Sequence, residues 1–303
     1  LLSQKTLSVS GSELVSDDGL IQSGSDMTLD VQDGVLSNRN TKTRGGISSA
    51  GTLTVRAGML NNQQGFMAGQ KDVTLNTGTL DNRQGVLGSQ ASLQVSSGTL
   101  MNQKGALKAG TDMLLSGGDV SNQEGMLAAG GDLNAHLNVL ENQQGTVVSN
   151  GNSRLDVTRS DNQGGRLVAQ QSLTLTSKDI INDAGGLIQS GASLNLRADT
   201  LSNRDSGDRG GVISQGPVTL NAGTLDSTAG VLLSGDALSL TAGVVNNTSG
   251  QIVASGQIVA NGLPGRNSLA LNNQSGLIQG KGISINTAGR TLDNRRGTLN
   301  SLQ

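Results

Sequence analysis

Apolar residues in this chain recur on two scales: in pairs two positions apart, and in a longer phrase that returns every 20 residues. Between Leu60 and Gly185 the phrase is L-x-N-x-x-G-x-L, read as LNNQQGFM from Leu60, LDNRQGVL from Leu80, LMNQKGAL from Leu100, VSNQEGML from Val120 and LENQQGTV from Leu140. With the Asn as position zero, apolar residues stand two before it and five, eleven and thirteen after it. Around Asn62 these are Leu60, Met67, Val73 and Leu75; around Asn82 they are Leu80, Leu87, Leu93 and Val95. Pairs two apart place one face of an extended chain in a core. Turn-forming Gly, Asn, Ser and Asp separate them, so the spacing predicts three short strands per repeat. No window keeps the spacing of an amphipathic helix, and Gly is far too frequent for one. A fixed period this short predicts a stacked repeat: an all-β parallel β-helix, a solenoid of about 20 residues per coil.

Followed along the chain, the Asn position predicts about 14 coils. It is filled by Asn38, Asn62, Asn82, Asn102, Asn122, Asn142, Asn162, Asn182, Asn203, Asn247, Asn273 and Asn294, and by Ser16 and Ser227 in the two remaining coils. The coil of Asn142 reads slightly out of phase, with Leu155 and Val157 as its expected inward pair. Three turns are enlarged, at residues 39–45, 204–210 and 261–267. Residues 1–303 are thus expected to be a single β-helical repeat region. The pattern is under way at the first residue and still running at the last, which suggests a piece of a longer chain.

Composition narrows the core. Among 303 residues there are 45 Gly, two Pro and one aromatic, Phe66, so the interior is expected to be thin and aliphatic. A net charge of −2 with dispersed Lys and Arg, and no aromatic platforms, argues against a nucleic-acid partner. No apolar run reaches the roughly 18 residues of a membrane span. The absence of cysteine excludes disulfides and thiol chemistry. No cofactor or metal is expected.

Each Asn follows an inward Leu by two positions, so its amide is expected to point inward and to bond the same amide one coil away, as in stacked Asn ladders. The Gly three residues later is expected to meet a turn that needs positive φ. Small residues seven after the Asn, such as Gly69, Ser89 and Ala109, are expected at a tight inner corner. Candidate chemistry is sparse. Asp112 and Asp132 occupy equivalent places in neighbouring coils, with Asp72 two coils from Asp112, but Ser92 interrupts the column; a solvated strand edge is the expectation. His136 has no Ser or Cys assigned to it by motif. The cations of the first two enlarged turns, Arg39, Lys42 and Arg44 in one and Arg204 and Arg209 in the other, are the candidate partner-binding positions, because solenoid insertions map to surface loops.

The recurrent L-x-N-x-x-G-x-[LIMV] followed by paired aliphatics, as in LDNRQGVLGSQASLQV from Leu80, resembles the 20-residue haemagglutinin repeats of filamentous-haemagglutinin-like exoproteins over nearly the whole chain. That resemblance implies a right-handed β-helix, export through an outer-membrane partner transporter by two-partner secretion, and an extracellular or cell-surface location. It also implies one of two non-enzymatic roles: a stalk presenting a distal binding or toxin module for adhesion or contact-dependent growth inhibition, or a rod that itself binds a glycan or receptor on a target cell. A carbohydrate-active enzyme on the same fold would need acidic and basic residues gathered on one outer face.

Overall fold

The computed structural model describes residues 1–41, 45–265 and 268–302. Lys42 and Arg44, and residues 266 and 267 of the third insertion, lie outside them. Two compact units divide the chain, Leu1–Gly151 and Asn152–Gln303, and both are parallel β-solenoid.

In the first unit a regular coil consists of a four-residue strand, a turn, a nine-residue strand that bends midway, and the Asn corner. Phe66–Gly69 and Val73–Asp81 form one coil, Val86–Ser89 and Leu93–Met101 the next. The expected second and third strands are therefore fused here. They remain separate where the chain starts, as Leu7–Ser10 with Glu13–Val15 and as Met27–Asp30 with Val35–Ser37. Every regular strand pairs in parallel with the residue 20 positions on: Val73 with Leu93, Leu75 with Val95, Leu80 with Leu100. That offset is the sequence period itself, so like residues stack on like.

The second unit repeats the plan, with Val218–Asp226 and Leu238–Asn246 as long strands paired residue by residue. Its coil at Leu173–Thr176 and Asp179–Ile181 keeps the long strand split. Among the described residues, counting one short strand per coil gives eight coils in the first unit and seven in the second, fifteen in all. The count by corner residues falls one short because the first short strand, Leu2–Ser3, has no corner residue before it in the sequence.

Both cores are columns of aliphatics. Leu60, Leu80, Val73, Leu75, Met67 and Leu87 are fully buried in the first unit, and Leu201, Leu225, Leu220 and Leu232 in the second. Each such side chain contributes about 1.5–3 kcal/mol on burial, and stacking neighbours are what complete that burial. The coil after Asn142 is not shifted: Ser153 pairs with Leu173 and Leu155 with Leu175. A serine stands in the first inward place, and Leu155 and Val157 are buried beyond it.

The corner corrects one expectation. The left-handed residue is not the Gly but the residue before it, with φ of 51° at Gln64, 57° at Gln84, 57° at Lys104 and 54° at Glu124. The Gly is required for closeness instead. A Cβ on Gly85 would lie 2.2 Å from the Asn62 carbonyl oxygen and 2.7 Å from Asn82 Oδ1, so no side chain fits.

Candidate functional site

The Asn corner is the most organised polar feature of the molecule. Its asparagines from Asn38 to Asn273 are fully buried, while Asn294 is half-buried. In the first unit the Nδ2 of Asn38 donates to Oδ1 of Asn62 at 2.7 Å, and the step repeats at 2.7 Å to Asn82, Asn102, Asn122 and Asn142. In the second unit Asn162 donates to Asn182 at 2.7 Å, Asn182 to Asn203 at 2.9 Å, Asn247 to Asn273 at 2.7 Å and Asn273 to Asn294 at 2.7 Å. Each Nδ2 also faces carbonyls, as Asn82 does with Gly85 O and Ala106 O at 3.3 and 3.2 Å. Only the NH2 end of an amide can face carbonyl oxygens, so the direction of the ladder is fixed. Where serine replaces asparagine the ladder fails. Asn203 Nδ2 reaches Ser227 Oγ at 3.3 Å, and the buried Oδ1 atoms of Asn247 and Asn38, each one coil after a serine, have no hydrogen-bond partner.

Two enlarged turns share one construction, four residues longer than the regular corner. In Ser37-Asn38-Arg39-Asn40-Thr41 and Ser202-Asn203-Arg204-Asp205-Ser206 the fourth residue is left-handed, φ 58° at Asn40 and 53° at Asp205. The arginine clasps an aspartate of the preceding coil. Arg39 Nε lies 2.9 Å from Asp17 Oδ2, and Arg204 Nη2 lies 2.8 Å from Asp183 Oδ2. Ser202 Oγ and the Arg204 amide add bonds to Asp183 at 2.7 and 2.8 Å. Burial pushes the carboxyls of Asp17 and Asp183 up, but the arginine, serine and backbone bonds outweigh it and hold both below the usual carboxylate value.

The insertion also moves a carbonyl. In regular coils the first amide of the next short strand donates to the corner Gly, as Val86 N does to Gly65 O at 2.8 Å. In the enlarged turns a hydroxyl takes the carbonyl's place: Phe66 N donates to Thr41 Oγ1 and Val231 N to Ser206 Oγ, both at 3.0 Å. Sequence reasoning selected the cations of these turns and passed over Asp17, Asp183, Thr41 and Ser206. The signal was present in the shared S-N-R-x-[ST] and in the aspartate at the same corner place one coil earlier. Arg209 is exposed on its turn; Lys42 and Arg44 lie outside the described residues.

The aspartate column is occupied by backbone. Asp112 Oδ1 accepts the Asp132 amide at 2.8 Å, Asp72 Oδ1 the Ser92 amide at 3.1 Å and Asp26 Oδ1 the Thr52 amide at 2.8 Å. Bonds from the Ser92 hydroxyl and amide hold the Asp72 carboxyl below its ordinary value. Among the described residues no three His, Cys, Asp or Glu side chains are placed to hold a metal. His136 stands exposed on the strand Leu133–Glu141, in register with Ser116. No helix among the described residues is long and apolar enough to cross a membrane.

The sequence family described as "Haemagglutinin repeat" matches residues 1–41, 32–66, 48–136, 118–180, 148–208 and 204–262. Comparison with curated proteins and with solved structures gives no match.

Proposed function

The chain belongs to the haemagglutinin-repeat family, and on that premise we propose that it is a stretch of the rigid, non-enzymatic extracellular stalk of a filamentous-haemagglutinin-like exoprotein. In this reading the chain is exported by an outer-membrane partner transporter and holds a distal adhesive or toxin-bearing module, for adhesion or contact-dependent growth inhibition, away from the producing cell.

The observation that carries the proposal is the Asn ladder: except at the coils of Ser16 and Ser227, a side-chain amide bond links successive coils within each unit, beside strands paired residue by residue. Bending or shearing neighbouring coils would have to break backbone and buried amide bonds together, which suits a spacer that transmits position. The guanidiniums of Arg39 and Arg204 are engaged by carboxylates of the preceding coil, which supports a turn-stabilising role for them over a partner-reading one.

The reading is tested in the full-length exoprotein by removing one coil in register, residues 82–101, and, separately, half a coil. A spacer should keep surface display and adhesion or toxin delivery after the in-register deletion and lose them after the half-coil deletion, which breaks the 20-residue pairing offset and sets strands against turns of the neighbouring coil. Loss of target-cell binding after the in-register deletion, with display intact, would overturn it.

A further inference from the structure

An asparagine followed by glycine can modify itself, because glycine has no side chain to shield its amide nitrogen from the carboxamide before it. The chain has two such steps, Asn150–Gly151 and Asn261–Gly262, and two Asp–Gly steps open to the same ring closure, Asp18–Gly19 and Asp33–Gly34. In three of the four the glycine amide is already committed. Gly151 N donates to Gly131 O at 2.9 Å, Gly19 N to Ser16 O at 3.0 Å and Gly34 N to Val31 O at 2.8 Å. Asn150 is held as well, its amide donating to Ala129 O at 3.1 Å. Gly151 is also tightly enclosed: a Cβ there would lie 2.1 Å from Asp132 Oδ1 and 3.0 Å from the Gly131 carbonyl oxygen.

Asn261–Gly262 differs in each respect. Asn261 is exposed and is the last residue of the strand Gln257–Asn261, in register with Thr241 of the coil before. Its carboxamide and the Gly262 amide make no hydrogen bond among the described residues. Gly262 lies outside any strand, and pairing with the preceding coil resumes only at Ala270, opposite Val244. Two residues on, Pro264 has no amide hydrogen with which to tie the segment down. The rotation about the Asn261 Cα–C bond that ring closure requires therefore breaks no bond of the attacking amide.

We propose that Asn261 is a site of spontaneous deamidation, the one Asn–Gly step that the solenoid leaves open. The Gly262 nitrogen gives up its proton to solvent base and attacks Asn261 Cγ. As that C–N bond forms, the Cγ–Nδ2 bond breaks and Nδ2 takes a proton from water and leaves as ammonia. Water then opens the five-membered succinimide. Attack at Cγ gives aspartate, and attack at the Asn261 backbone carbonyl carbon gives isoaspartate with the main chain running through Cβ. One water is consumed and one ammonia released, with no oxidant, reductant or enzyme. Either product adds one negative charge at the head of the insertion. The extra backbone atom of the isoaspartyl form falls where pairing is already interrupted, between Asn261 and Ala270, so the register of the flanking strands is kept.

The test ages the whole folded chain in mildly alkaline buffer and follows Asn150 and Asn261 by peptide mapping and mass spectrometry, with isoaspartate scored separately. Asn261 should deamidate at least about tenfold faster than Asn150, the factor set by the one amide bond that Gly151 must first give up. A parallel sample unfolded in urea is the control. There the two Asn–Gly steps should react at nearly the same rate, because only their shared local sequence remains. Gly262→Ala, which adds a methyl beside the attacking nitrogen, should slow the Asn261 reaction about tenfold and leave the circular dichroism melt unchanged. Equal rates at Asn150 and Asn261 in the folded chain would overturn the proposal. So would an Asn261 that stays intact in the folded chain while the urea-unfolded sample is converted.

Discussion

Replacing Ser227 by asparagine should stabilise the second unit. Ser227 is fully buried, and its Oγ lies 2.6 Å from the ideal Cβ position of Gly230, much as Asn82 Oδ1 lies 2.7 Å from that of Gly85. The hydroxyl thus occupies the place of an amide oxygen and serves the acceptor half of the ladder, at 3.3 Å from Asn203 Nδ2. It has no second arm to reach the next coil, and Asn247 Oδ1 is left without a donor. In Ser227→Asn the new Nδ2 would meet that oxygen at the 2.7 Å seen in regular steps and would also face the carbonyls of Gly230 and Gln251. Satisfying one buried acceptor stabilises by about 1–3 kcal/mol, and ordering the longer side chain removes part of that, so a net gain of about 1–2 kcal/mol is expected. Urea unfolding followed by circular dichroism should show the midpoint rising by about 0.5 M with unchanged slope, and amide exchange should slow locally in the coil after Asn247. The converse variant, Asn102→Ser, should orphan Asn122 Oδ1 and cost about 1–3 kcal/mol. A neutral or destabilising Ser227→Asn, alongside a costly Asn102→Ser, would mean that the orphaned oxygen carries no penalty, and the ladder argument would fail.

Ser160 is fully buried with its hydroxyl unpaired, in register with Ile180; Ser160→Ala should gain about 1 kcal/mol by removing the unsatisfied group, and Ser160→Val more. A loss in the alanine variant, measured by urea unfolding, would show that the hydroxyl has a partner. Ser206→Ala should cost about 1–3 kcal/mol by stranding the Val231 amide, whereas Ser206→Thr, the residue type at the matching Thr41, should be nearly neutral; chemical denaturation of the two variants separates hydroxyl from size. Asp183 has a lowered carboxyl pKa in the folded chain, so its stabilising contribution is fully present above the unfolded value of about 3.9 and is lost as pH falls through the folded value. Asp183→Asn should therefore be less stable than wild type at neutral pH, with the gap closing in acid titrations below about pH 4.

Much of the fold was legible because parity and translation are local properties of the chain. Leu80, Leu87, Leu93 and Val95 fall inward by alternation, and a 20-residue period stacks each on its copy, so coil length, core and the inward Asn column follow from the letters alone. The tertiary structure decided what happens between coils. Gly85 is required by a carbonyl 23 residues earlier, the left-handed φ belongs to Gln84, and the carboxylates of Asp17 and Asp183 pair with Arg39 and Arg204. The same holds for Thr41 and Ser206, whose hydroxyls replace a carbonyl that the inserted residues displaced. These choices depend on the few ångströms that separate stacked corners. A sequence states which residues stack; how closely their backbones approach is set only when the coils pack.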